Sequence, residues 1–219
     1  MLTRGDKTVE DSLAVLDQTA ALGLRHVGFK DVGVPRATLE ALTTRIRAVG
    51  ATSYMEVVSE TPEACLNSAQ VARDLGIDRL LGGTHITEIN AILAGTSTQY
   101  FPFPGRPVGH PTKLGGTAAD VEADCRRIMD TGCAGADLLA YRATEAEPLA
   151  LVKAARRGLG SGYLIVAGSI TTAERIRAIA DAGADAFTIG TAVFDGSYNP
   201  RKGSLLSQLS DVLTDIEAA

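Results

Sequence analysis

The chain has no tryptophan, three cysteines, three histidines and only 5% aromatic residues. Cys65, Cys125 and Cys133 are odd in number and form no C-x-x-C pair, which argues against a disulfide framework or a zinc site and leaves buried free thiols. No H-x-H, H-E-x-x-H or D-x-D spacing occurs, so no metal or other cofactor is expected. No apolar run approaches the roughly 20 residues that span a bilayer. The opening "MLTRGDKTVED" is charged too early for a secretory leader, so no membrane association and a cytoplasmic location are expected. Positive charge is also short. A net charge of −5 and a pI near 5.2 argue against a nucleic-acid surface, which needs clustered Lys and Arg. An anionic ligand must therefore meet a local pocket.

What is present is a rhythm. A short apolar run, a polar or glycine turn, an amphipathic segment and a glycine recur along all 219 residues. Helices are expected at residues 9–22, 36–49, 62–75, 86–93, 118–131, 145–157, 172–182 and 204–216. Strands are expected at 1–3, 26–30, 53–58, 79–82, 99–103, 137–141, 163–167 and 186–189. Their mostly continuous apolarity suits a parallel sheet buried on both faces. Eight alternating units in this length predict an α/β fold, a (β/α)8 TIM barrel forming one domain over residues 1–219. The first strand is minimal, and four prolines between Tyr100 and Pro111 predict an early end to the fifth strand and a long loop after it. "GIDRLLGGT" (76–84) and "GADAFTIGT" (183–191) share Gly, Asp, Gly and Thr at identical spacing, half a barrel apart.

In such a barrel the turns after the seventh and eighth strands lie side by side. Glycines there let backbone N–H groups approach an anion at a helix N-terminus. Gly168, Ser169, Gly190 and Thr191 are therefore candidate phosphate ligands. The stretch "VAGSITTAERIRAIADAGADAFTIGTAVFDG" resembles the last quarter of the ribulose-phosphate-binding barrels, which include histidine- and tryptophan-pathway isomerases and N-acetylmannosamine-6-phosphate 2-epimerase. The resemblance is specific over about residues 165–196 and architectural elsewhere, and it implies a grip on a substrate phosphate. Catalytic residues do not carry over. Where the epimerases have a glutamate this chain has Ala167, and the end of the fifth strand lacks the aspartate of the histidine-pathway isomerase.

Catalytic candidates come instead from polar residues ending strands. Lys30 closes "HVGFK", Glu56 lies inside "SYMEVV", and His85 follows "LLGGT". A buried Glu56 needs a partner, and Lys30 on the adjacent strand is the natural one. His85 suits proton transfer but could equally belong to a helix cap. Arg4, Asp31, Arg106, Tyr141 and Arg142 are candidate substrate contacts at strand ends or on the long loop, which also carries His110 and Lys113. The predicted function is proton abstraction next to a carbonyl in a small phosphorylated sugar or sugar-like metabolite, by an isomerase or epimerase. The alternatives are an aldolase or other carbon–carbon lyase using Lys30, and a non-catalytic phosphometabolite-binding barrel. The expected partners are that small phosphorylated substrate and a second copy in a homodimer.

Overall fold

The computed structural model describes residues 1–59 and 61–219. Contacts divide the chain into two compact units, Met1–Pro102 and Phe103–Ala219. Among the described residues, no helix is long and apolar enough to cross a membrane.

In the first unit a hairpin of β1 (Thr3–Arg4) and β2 (Lys7–Thr8) precedes α1 (Ser12–Thr19) and a short 3-10 turn. Next come β3 (His26–Lys30), α2 (Arg36–Ala48), β4 (Thr52–Val57), α3 (Pro62–Leu75), β5 (Arg79–Gly82), α4 (Ile86–Leu93) and β6 (Gln99–Phe101). Strands β3 to β6 form a four-stranded parallel sheet in sequence order. Local chemistry explains the boundaries. Thr61 caps α3 by accepting from the Ala64 N–H at 3.2 Å, Pro62 opens it, and Gly76 closes it in a left-handed conformation.

The second unit begins with a hairpin of β7 (Arg106–Val108) and β8 (Lys113–Gly115) and continues with α5 (Ala118–Asp130), β9 (Gly135–Leu138) and a 3-10 turn at Ala140–Arg142. Then follow α6 (Pro148–Leu159), β10 (Tyr163–Val166), α7 (Ala173–Asp181), β11 (Ala186–Phe187), the short α8 (Thr191–Phe194) and α9 (Leu205–Glu217). Strands β9, β10 and β11 form a three-stranded parallel sheet. Helix α5 starts on a capping box, with Thr117 and Asp120 exchanging side-chain and backbone bonds.

Three expectations need correction. The first strand is not a parallel strand at 1–3 but one arm of an antiparallel hairpin. Its turn residues Gly5 and Asp6 both have positive φ, 55° and 66°, the pattern of a type I′ two-residue turn. The hairpin is tied to the neighbourhood of β3 by bonds from the Leu2 N–H to the Gly28 carbonyl (2.7 Å) and from the Thr8 N–H to the Val32 carbonyl (2.9 Å). The long loop after the fifth strand is itself a hairpin; within its paired strands the one proline is Pro107, in a two-stranded ribbon that tolerates a missing donor, and Pro111 lies in its turn. The sixth strand lies at Gly135–Leu138, ahead of the expected 137–141, because the chain coils into a 3-10 turn at Ala140.

The internal repeat has a structural meaning. Asp78 accepts from the backbone N–H of Ser53 on β4 at 2.8 Å, and Asp185 accepts from that of Leu164 on β10 at 2.7 Å. Each aspartate ties the start of its own strand to the second residue of the preceding one, so the shared spacing encodes the same joint in each unit. Asp78→Ala and Asp185→Ala are each expected to lower unfolding free energy in urea by about 1.5–3 kcal/mol, the range for a hydrogen bond to a charged group. Arg106→Ala, which breaks only an exposed pair with Glu145, should cost less than about 1 kcal/mol. Equal small effects at all three positions would contradict the joint.

Candidate active site

The registers of β3, β4, β5 and β6 align Lys30, Glu56, Leu81 and Phe101 in one row near the C-terminal ends of the strands. Side chains alternate between faces along a strand, so these four share a face. Gly28, Tyr54, Arg79 and Gln99 form the row beneath. In that lower row Arg79 donates to the Tyr54 hydroxyl at 2.8 Å, and Tyr54 Oη lies 3.1 Å from His26 Nδ1. Burial and the cations Arg79 and Arg25 hold His26 below its ordinary pKa, consistent with a structural place under the site.

Lys30 is the centre of the upper row. It is 4% exposed, with Asp6 at 3% and Glu56 at 2%. Its ammonium donates to Glu56 Oε1 at 3.1 Å and to Asp6 Oδ1 in a short ion pair. Asp6 reaches it because the hairpin turn places its carboxylate beside the end of β3. The Lys30 backbone is fixed as well. Thr8 Oγ1 accepts from the Lys30 N–H and donates to the Lys30 carbonyl, both at 2.8 Å. Two carboxylates around one ammonium keep the proton on Nζ, which makes Lys30 a buried cation rather than a free amine.

Other candidates in the first unit are placed differently. Asp31 accepts from the Val58 N–H at 3.0 Å and from the Ser59 and Ser68 hydroxyls, so its carboxylate holds the segment between β4 and α3. His85 stands at the N-cap of α4, its Nδ1 buried and without a hydrogen bond among the described residues, and no bond joins its ring to the Lys30 cluster. Arg4 lies on the exposed arm of the hairpin opposite Lys7.

In the second unit, the parallel pairing Val166–Phe187 and the bond from the Thr188 N–H to the Val166 carbonyl (3.0 Å) carry β10 and β11 side by side into their turns. Gly168 and Ser169 follow the first strand. Gly190 follows the second and caps α8, which begins at Thr191. Gly168 has φ 77° and Ser169 has φ 58°. Among the described residues Asp6 and Ser169 are the non-glycine residues with positive φ, and both lie at candidate sites, where backbone strain of order 1–3 kcal/mol tends to collect. Tyr141 and Arg142 occupy the 3-10 turn after β9, and burial pushes the Tyr141 hydroxyl above its ordinary pKa. Arg142 lies so close to Gly168 that a Cβ there would sit 2.3 Å from its Nε, which is why this turn needs glycine. Arg106 is spent on the surface pair with Glu145. An open polar groove of about 440 Å³ between the start of α7 and the 198–202 segment is walled by partnered groups such as Lys202–Asp211 and Tyr198–Asp215.

Sequence reasoning missed Asp6 in the cluster and Arg175 beside Ser169. The Gly5–Asp6 dipeptide was the available signal for the first, since it suits a tight turn. Nothing in a helical arginine signals the second. Lys30→Met removes the ammonium that two buried carboxylates share and is expected to cost about 3–5 kcal/mol of stability in chemical denaturation. The triple change Asp6→Asn, Lys30→Met, Glu56→Gln removes the charges together and should recover at least half of that loss. A single variant as stable as the parent would contradict the buried cluster.

No family model matches the chain, and no curated protein matches it in sequence. Solved structures do match. Orotidine 5′-phosphate decarboxylase from Pyrococcus horikoshii superposes with a TM-score of 0.66 at 10% identity, over 95% of this chain and 94% of that one. A native KDPGal structure gives 0.67 at 13% identity, over 98% and 93%. The Amycolatopsis orientalis BexX/CysO complex gives 0.64 at 17% identity, over 98% and 89%. The likeness shows the fold alone, that of a (β/α)8 barrel.

Proposed function

We propose that the chain is an enzyme that abstracts a proton next to the carbonyl of a small phosphorylated sugar or sugar-like metabolite, as an isomerase or epimerase. The observation that carries this reading is the ammonium of Lys30 buried between the carboxylates of Asp6 and Glu56 at strand C-terminal ends, the end at which barrels of this fold keep their sites.

The chemistry follows from those charges. Glu56 takes the proton from the carbon beside the carbonyl. The electron pair of the broken C–H bond moves into a carbon–carbon double bond, and the carbonyl oxygen becomes an enediolate oxygen. The Lys30 ammonium stabilises that oxygen, in a setting where a fixed charge acts more strongly than in water. Asp6 keeps Lys30 protonated and in place. In an isomerase a proton passes from the neighbouring hydroxyl to the enediolate oxygen and Glu56 returns its proton to the former carbonyl carbon; in an epimerase a group on the opposite side protonates the original carbon, and no redox partner is needed. The phosphate is assigned to the backbone N–H groups of the Gly168–Ser169 and Gly190–Thr191 turns. Support comes from the P. horikoshii neighbour, whose name specifies a 5′-phosphate substrate. Because that neighbour is named a decarboxylase, carbon–carbon cleavage is the second reading. An imine on Lys30 is disfavoured by its charge.

A thermal-shift screen of sugar phosphates tests the ligand class, since a ligand at about 100 times its Kd stabilises the fold by roughly 2.7 kcal/mol. With a stabilising compound in hand, proton NMR in D2O should show deuterium entering beside the carbonyl. Glu56→Gln should slow that exchange by about a hundredfold or more. Borohydride should trap no adduct on Lys30. Cleavage products without deuterium exchange would favour the second reading, and unchanged exchange in Glu56→Gln would remove Glu56 from the mechanism.

A further inference from the structure

Ile170 follows the Gly168–Ser169 turn and is 2% exposed, yet its backbone N–H meets no hydrogen-bond acceptor among the described residues. Buried main-chain donors in folded proteins are almost always bonded, so this one marks a place where an acceptor is wanted. The other end of the same peptide is held. The Ser169 carbonyl accepts from the guanidinium of Arg175, which lies over the Tyr141 ring, 4.5 Å from the ring centre. Arg175 stands in the first turn of α7, where its own N–H is taken by the Thr172 hydroxyl at 3.3 Å. Its neighbour Arg177 pairs with Glu174 on the helix surface, whereas the Arg175 side chain folds back to the turn.

A peptide unit is planar, and in the trans form its C=O and the following N–H point in opposite directions. The cis bond of the described chain is His110–Pro111, so the Ser169–Ile170 unit is trans. Holding the Ser169 oxygen therefore sets the direction of the Ile170 N–H. It also supports Ser169 at φ 58°, a conformation that residues with a Cβ seldom adopt. A cation on the carbonyl draws electron density through the amide and makes its N–H a stronger donor, as linked hydrogen bonds do. We infer that Arg175 is a positioning residue for the substrate phosphate: through the Ser169 carbonyl it aims and polarises the Ile170 N–H, which donates to a phosphoryl oxygen. The ring of Tyr141 holds the guanidinium in place. The inference rests on the phosphate assignment above; it adds Ile170 as a ligand and names the side chain that orients it.

Inorganic phosphate titrated into the full chain labelled with 15N, followed by amide NMR, reads both affinity and the bond itself. In the parent protein the Ile170 amide proton should move downfield as phosphate saturates the site. Arg175→Met should weaken binding by about tenfold or more, on the scale of a hydrogen bond to a charged group, and should remove most of the Ile170 shift at saturation. Arg175→Lys restores a charged donor without the planar fork, so it should recover part of both; it carries the test alone if Arg175→Met loses cooperative unfolding. A merely structural role would lower affinity but leave the Ile170 shift at saturation as in the parent, and that result would overturn the inference. Parental affinity in both variants, or phosphate bound by the parent with the Ile170 amide unmoved, would overturn it too and leave the turn assignment standing. No phosphate binding by the parent would overturn both.

Discussion

An ammonium shut away from water must be neutralised where it lies, and the first unit is arranged around that demand. Lys30 ends an apolar strand, so its charge arrives at the sheet with nowhere to hydrate. The parallel register supplies Glu56 from β4. The second carboxylate comes from a hairpin whose turn holds Asp6 at a φ that side-chain-bearing residues seldom adopt. Thr8, on the same hairpin, closes both backbone bonds of Lys30. The six residues of the hairpin thus fix the lysine's charge and its main chain together. A cation held this way requires no rearrangement when negative charge develops nearby, which is the condition for electrostatic catalysis.

The second unit meets a different demand with related means. Its strands end in turns that expose backbone polar groups, and it adds the charge of Arg175, which lies over the Tyr141 ring and donates to the Ser169 carbonyl. The shared aspartate joint at Asp78 and Asp185 shows that the two units solve the start of a strand in the same way. Their strand ends have nevertheless diverged: one carries a buried ion cluster, the other a glycine-containing turn.

The βα rhythm was legible because long apolar runs and capping residues are local signals. Thr61, Pro62 and Gly76 mark α3 in the sequence as clearly as in the structure. The meeting of Lys30 with Glu56 was legible too, since adjacent parallel strands put residues ending them side by side. The two hairpins were not. The strands of residues 3–8 are two residues each and carry no apolar alternation, and the prolines around β7 read as loop. Asp6 enters the cluster only through the turn geometry, and the Asp31 carboxylate is taken up within its own unit because Ser59 and Ser68, distant in sequence, supply its donors. Arg175 was hidden for the same reason, because where a long side chain folds back is decided by tertiary neighbours.

The charge state of Lys30 is the point on which the account turns, and it can be observed directly. Nitrogen-detected NMR of protein labelled with 15N-lysine, with the resonance assigned by comparison with Lys30→Arg, reports whether Nζ is an ammonium or an amine. The account predicts an ammonium signal with slowly exchanging protons at neutral pH, persisting to a higher pH than the signals of exposed lysines and lost sooner when Asp6 is changed to asparagine. A Lys30 resonance already in the neutral amine form at pH 7 would contradict it, and would turn the site toward imine chemistry.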